Sequence, residues 1–298
     1  MWTLIALSPE ARAGAWTLEH GQLWIKQSVS YWQTTERFAN TDDRVLNFPG
    51  QRPVQPGDRI PFDPTTGGSF EALSSTTEAQ IGLFDRLQLG LRVPLLYADF
   101  SETESPDTVD ASFGLGDLWL SAQGSLPMGP FVMASRIDLK LPIGDFEASI
   151  FAAPLTEGQI DINVAALVGI SLHPYGYVNG EIGWRVLFEN PDNQRDPGDE
   201  LRFALEAGLF LPADFMFKVL LDGVVGFEGT DRFANLATTL PRRRLYSMWL
   251  GMIWSPTERL SIEGDIRWLV AGEDFPTGIQ TWLGVSYLFD VIDTSSGR

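Results

Sequence analysis

The stretch Leu260–Val270, LSIEGDIRWLV, places Glu263, Asp265 and Arg267 at every second position and Leu260, Ile262, Ile266, Trp268 and Val270 in the register between them. Successive side chains of a strand point to opposite faces, so as a strand this stretch has one apolar face and one charged face. The core of a soluble sheet does not accept three charges, and a water-facing strand does not present five large apolar residues. The surroundings this strand needs are apolar outside and polar inside.

The same alternation recurs along the chain. It predicts twelve strands, near 21–33, 71–83, 87–98, 116–126, 130–142, 158–172, 176–188, 200–211, 215–227, 244–254, 259–270 and 278–290. Their connections alternate in length. Phe84-Asp85-Arg86, Pro127–Pro130, His173–Gly176, Pro212-Ala213-Asp214 and Ser255–Glu258 read as tight turns, whereas roughly 34–70, 98–115, 143–157, 189–199, 228–243 and 271–277 are long. A closed antiparallel sheet satisfies every backbone group internally, turns an apolar face to lipid and a polar face to a lumen, and carries short turns at one end and long loops at the other. The pattern therefore specifies an all-β fold, a twelve-stranded antiparallel transmembrane β-barrel with short periplasmic turns, long extracellular loops and both termini in the periplasm of a Gram-negative outer membrane. A soluble sandwich or lipocalin-like barrel would put the apolar register inside and leaves the loop rhythm unexplained.

The polar register carries eight bases, Lys26, Arg92, Arg136, Lys140, Arg185, Arg202, Lys218 and Arg267, and eight acids, Glu78, Asp138, Asp161, Glu181, Glu206, Asp222, Glu263 and Asp265. These residues are expected to line and brace a lumen of no net charge. The chain as a whole stands at −18, so the acidic excess falls in loops and termini, as in 98–117 with Asp99, Glu102, Glu104, Asp107, Asp110 and Asp117. Such loops read as solvated, or as sites for divalent cations shared with lipopolysaccharide. A charge of this sign argues against nucleic acid as a partner. Tyr31, Tyr97, Trp254, Tyr287 and Phe289 fall near strand ends on the lipid register, where aromatic girdles sit.

Chemistry finds little to work with. There is no Cys, and the two His residues, His20 and His173, fall before the first strand and in a short turn. Neither position suits the Ser/His or acid/His sites of barrel enzymes, so no catalytic residue, no metal ligand set and no cofactor is assigned. Paired carboxylates such as Glu263 and Asp265, and Asp161 beside Asn163, read as wall lining. Transport remains, with a closed structural or surface-interaction barrel as the rival. Trp24, Trp32, Trp119 and Trp282 on the polar register are candidate surfaces for stacking a small solute, or packing for a plug. The connection 36–70 is too long for a plain loop, and its Pro and Phe content suits a constriction or lid in the barrel mouth. The segment 1–13 reads as the remnant of a signal peptide, with Ala11-Arg12-Ala13 before Gly14 as a small-x-small cleavage pattern, leaving 14–298 as one barrel domain.

The segments GAWTLEHGQLWIKQSVSYWQTTERF (14–38), FDRLQLGLRVPL (84–95), FGLGDLWLSAQGSL (113–126) and LKLPIGDF (139–146), in that order, resemble the outer-membrane barrels of the MetA-pathway of phenol degradation family. The most specific element is GLGDLWL followed some twenty residues later by LPIGD. What the resemblance implies is passive uptake of small hydrophobic or aromatic compounds across the outer membrane. Barrels of this kind often end on an aromatic residue read by the barrel-assembly machinery, whereas here Phe289 is followed by DVIDTSSGR.

Overall fold

Twelve antiparallel strands make the wall: β1 (Gln22–Thr34), β2 (Ser69–Phe84), β3 (Leu87–Ser101), β4 (Leu118–Met128), β5 (Phe131–Leu141), β6 (Asp161–Ser171), β7 (Gly176–Leu187), β8 (Glu200–Leu211), β9 (Phe215–Gly226), β10 (Arg244–Trp254), β11 (Leu260–Glu273) and β12 (Ile279–Asp290). Each pairs with the next, and β1 pairs with β12 from Gln22↔Asp290 to Gln33↔Ile279, so the sheet closes and leaves no edge. This computed structural model describes residues 14–46, 52–61, 68–101, 111–144, 155–156, 158–190, 195–233, 236–240 and 242–291. The expected signal remnant, 1–13, lies outside them, as do Glu102, Glu104, Asp107 and Asp110 of the acidic loop.

Closure explains why the alternation recurs on every strand. The apolar register is the outer surface: Leu283 is 71% exposed, and Met133, Val164, Ile182, Leu205, Ile266 and Trp268 are exposed likewise. Lipid is the solvent that such a surface needs. Tyr31, Trp254, Tyr287 and Phe289 stand on the same outer face, with Phe215 stacked on Trp254 and Tyr287 against Phe289 near the turn end. The soluble alternative, with these side chains in a core, is excluded.

Local irregularities fall where the residues demand them. Pro94, which has no N–H to give to a ladder, lies where β3 leaves β4: the pairing Arg92↔Trp119 gives way to Leu95↔Leu115, and Gly116 N–H donates to the Pro94 carbonyl at 2.9 Å. Two residues, Asp85 and Arg86, join β2 to β3. At the opposite end the long connections add two small sheets, one from Glu36–Phe38, Arg59–Pro61 and Phe275–Pro276, the other from Arg195–Asp196, Gly229–Phe233 and Leu236–Leu240.

Candidate functional site

The lumen is laced by ion pairs, and four of them skip a strand. Lys218 on β9 reaches Asp265 on β11 at 3.2 Å, passing over Gly251 of β10, whose register partners are those same two residues. A Cβ at Gly251 would collide with the Asp265 carboxylate, so only glycine lets the bridge pass. Lys26 on β1 pairs with Glu263 on β11 across β12. Arg136 on β5 pairs with Glu181 on β7 across β6, beside Ala165, and also holds Asp138 at 3.0 Å. Arg267 on β11 reaches Asp222 on β9 at 3.0 Å, while Ser247 of the intervening β10 accepts from Arg267 Nε at 2.8 Å and donates to Asp222. Small residues on the polar register mark the crossings.

Asp161 is fully buried and receives both Lys140 Nζ, at 2.7 Å, and the Arg185 guanidinium. Asp117 and Glu200 complete that cluster, at 3.3 Å from Lys140 and 3.2 Å from Arg185. Asp117 thus corrects the reading of 98–117 as solvated throughout: one of its acids belongs to the wall. Glu206 accepts a hydrogen bond from Tyr177 at 2.7 Å. Glu78, Arg92, Arg136, Asp138, Lys140, Glu181, Arg185, Arg202 and Asp222 border a central cavity of about 580 Å³, with Trp119, Asn163 and Asp117.

The candidate stacking residues divide. Trp119 borders the cavity, with the Arg185 guanidinium 5.0 Å from its ring. Trp282 lies 4.5 Å from Trp249, centroid to centroid. Trp249 donates to Asp222 at 2.7 Å and lies under Arg267, 4.9 Å away. Trp249 is not among the candidates read from the sequence, although the period-two register alone places it inward. Trp32 donates to the Thr277 carbonyl at 2.9 Å and packs on Phe70, its ring engaged at the mouth. Trp24 is half-buried on the inner register of β1.

Both ends of the lumen hold the protein's own chain. At the turn end, Gly14–Gly21 enters the barrel. Ala15 and Leu18 are buried; Trp16 packs between Tyr177, at 6.1 Å edge-on, and the cluster of Val132, Ala165 and Leu167. Leu18 N–H donates to Gln88 at 2.9 Å, Gln123 donates to the Gly14 carbonyl at 2.8 Å, and Thr17 shares a hydrogen bond with Ser125 at 2.7 Å. A Cβ at Gly169 would stand 2.6 Å from the Trp16 ring, which rests on bare backbone there. Sequence reasoning gave this segment no role. The available signal was the set of apolar residues on the polar register near the turns: Val132, Leu167, Met216 and Ile253.

At the loop end, Phe38 is buried against Leu245 and Leu269, again apolar residues on the inner register, with Trp32 and Phe275 beside it. Ala39, Val54 and Ile60 form a second small core above it. The connection 36–70, as far as it is described, therefore folds over the barrel mouth; 47–51 and 62–67 lie outside the described residues. Asn40 ties it to Asp274 of the last loop at 2.9 Å. His20 donates to the Leu83 carbonyl and stacks on Phe84, and His173 sits in the turn before β7.

A closed twelve-stranded wall, a lipid-facing apolar register and a charged lumen define the fold of an outer-membrane β-barrel. The crystal structure of an outer membrane channel from Pseudomonas putida F1 has the same fold, with a TM-score of 0.70 at 16% identity over 92% of this chain and 97% of that one. More distant barrels include the NanC porin (TM-score 0.49, 6% identity, 88% of this chain and 98% of that one) and the translocator domain of the autotransporter NalP from Neisseria meningitidis (0.49, 11%, 91% and 90%). No family model matches the chain, and no curated protein sequence matches it.

Proposed function

We propose that the protein is an outer-membrane channel for passive uptake of small apolar or aromatic compounds, its narrow polar lumen closed at rest by the mouth segment 36–61 and by Gly14–Gly21. The observation that carries this reading is the cavity of about 580 Å³ between the two closures, a volume suited to one small molecule. The resemblance to the MetA-pathway family supports the substrate class, and the short-turn end, with both termini, is assigned to the periplasm. Outer-membrane lipid and lipopolysaccharide surround the wall, and the barrel-assembly machinery inserts it. The test is liposome swelling and planar-bilayer conductance of the full chain and of a variant lacking 40–61. Permeation of small neutral solutes, increased by the deletion, is the expected outcome; an impermeable deletion variant refutes the channel.

One observation favours a second reading. Both ends of the lumen are filled by chain whose side chains pack on the wall, as in a structural barrel with a permanent plug. That protein would stay impermeable whichever closure is removed.

A further inference from the structure

Two cations of the lumen stand apart from the lacework. Lys26, Arg136, Lys140, Arg185, Lys218 and Arg267 each hold an acid. Among the described residues, Arg92 on β3 and Arg202 on β8 make no ion pair and no side-chain hydrogen bond, yet both border the central cavity. Arg92 is exposed to the lumen and Arg202 half-buried, so both guanidiniums keep donors open to a solute, whereas the six neighbouring cations spend theirs on acids. Four strands lie between β3 and β8 on one side and six on the other, so the two guanidiniums project from nearly opposite walls. Arg202 is repelled by Arg185 and by Arg92 itself, and attracted by Glu200 and Glu181, acids already engaged with Arg185 and Arg136. Glu78 is the register partner of Arg92 and borders the same cavity, but does not come within ion-pair distance of it. Trp119 is the partner of Arg92 on the other side and offers a flat apolar surface beside it.

We propose that this cavity is a subsite for a small aromatic monocarboxylate, its carboxylate taken by Arg92 or Arg202 and its ring set beside Trp119. The planar fork of a guanidinium matches a carboxylate, and a single negative charge is what two unpaired cations facing one unpaired acid accommodate. The proposal rests on the channel reading and narrows its substrate from aromatic compounds in general to those that carry a carboxylate.

The test uses the full chain, in planar bilayers and, in parallel, as detergent-solubilised protein by calorimetry, with benzoate, benzyl alcohol and inorganic phosphate as probes. Arg92→Gln/Arg202→Gln removes both charges, keeps polar side chains and disturbs no ion pair; heat-modifiable gel mobility checks that it folds. Benzoate is expected to block current at about a tenfold lower concentration than benzyl alcohol, and the double variant to raise the benzoate value about tenfold while leaving benzyl alcohol unchanged. Equal potency of the two, an unaltered benzoate value in the variant, or phosphate binding as tightly as benzoate overturns the subsite. Benzoate binding in calorimetry by a protein that passes no current, even without 40–61, overturns the channel and leaves the subsite standing; current without benzoate binding does the reverse.

Discussion

Trp16→Ala is expected to unseat the N-terminal segment from the turn end of the lumen. Hydrogen bonds to the side chains of Gln88, Gln123 and Ser125 tie Gly14–Leu18 to the wall and contribute about 1 kcal/mol each. Burial of Leu18 and Trp16 adds about 2 kcal/mol apiece. Ordering eight residues costs about 1 kcal/mol each, so the docked and released states lie within a few kcal/mol of each other. Removing the indole, which covers Gly169 and meets Tyr177 edge-on, deletes about 2–3 kcal/mol, a shift of roughly 30- to 150-fold toward the released state. Single-channel recording should then show longer or larger openings than the parent, and hydrogen exchange should show loss of protection at the Leu18 amide. A Trp16→Ala protein with parental openings and a protected Leu18 amide would refute the idea that this ring holds the closure.

Gly169→Val should reproduce that behaviour by pressing a side chain into the space of the Trp16 ring, and the two changes together should add little to either one alone. Asp161→Asn leaves Lys140 and Arg185 buried around a weakened acceptor; a loss of about 3–5 kcal/mol is expected, read as a lower midpoint in urea unfolding from detergent. Arg267→Gln removes one lumen cation and frees Asp222, so reversal potentials in a salt gradient should move toward cation selectivity; unchanged potentials would count against its contribution to the conduction path. In the mouth segment, partial desolvation raises the Asp43 carboxyl, but the forked Arg37 contact at 2.6 and 2.7 Å and the Asn40 amide outweigh it and hold the group below the ordinary aspartate range. Arg52, then the Gln55 amide, lower Asp58 likewise. Depressed folded-state values mean a contribution present in full above the ordinary aspartate range and lost as pH falls through the lowered values. Conductance should therefore rise below about pH 4, and less so in Asp43→Asn.

The wall was readable because lipid and lumen impose opposite demands on consecutive residues, and a period of two needs no tertiary information to detect. LSIEGDIRWLV shows this: Ile262, Ile266 and Trp268 are exposed on the outer face, and Glu263, Asp265 and Arg267 are paired inside. The closures were harder to read. Gly14–Gly21 has no periodicity of its own, and its place is written on other strands, in Val132, Leu167 and Met216, where the polar register turns apolar near the turns. The mouth segment was legible from length and from Phe and Pro content, but its anchor Phe38 is fixed by Leu245 and Leu269, more than two hundred residues away. Asp117 and Glu200 sit at the margins of their strands, where an acid of the wall and an acid of a loop look alike in sequence.

The strand-skipping ion pairs have a mechanical consequence. Backbone ladders join each stave to its neighbour, whereas Lys218 to Asp265 and Arg267 to Asp222 tie β9 to β11, Lys26 to Glu263 ties β11 to β1, and Arg136 to Glu181 ties β5 to β7, each across the stave between, as a hoop does on a cask. Braces of that kind resist splaying of the staves they span, from β9 round to β1 and from β5 to β7. On the proposed channel reading, opening then falls to the two segments at the ends of the lumen, not to the wall.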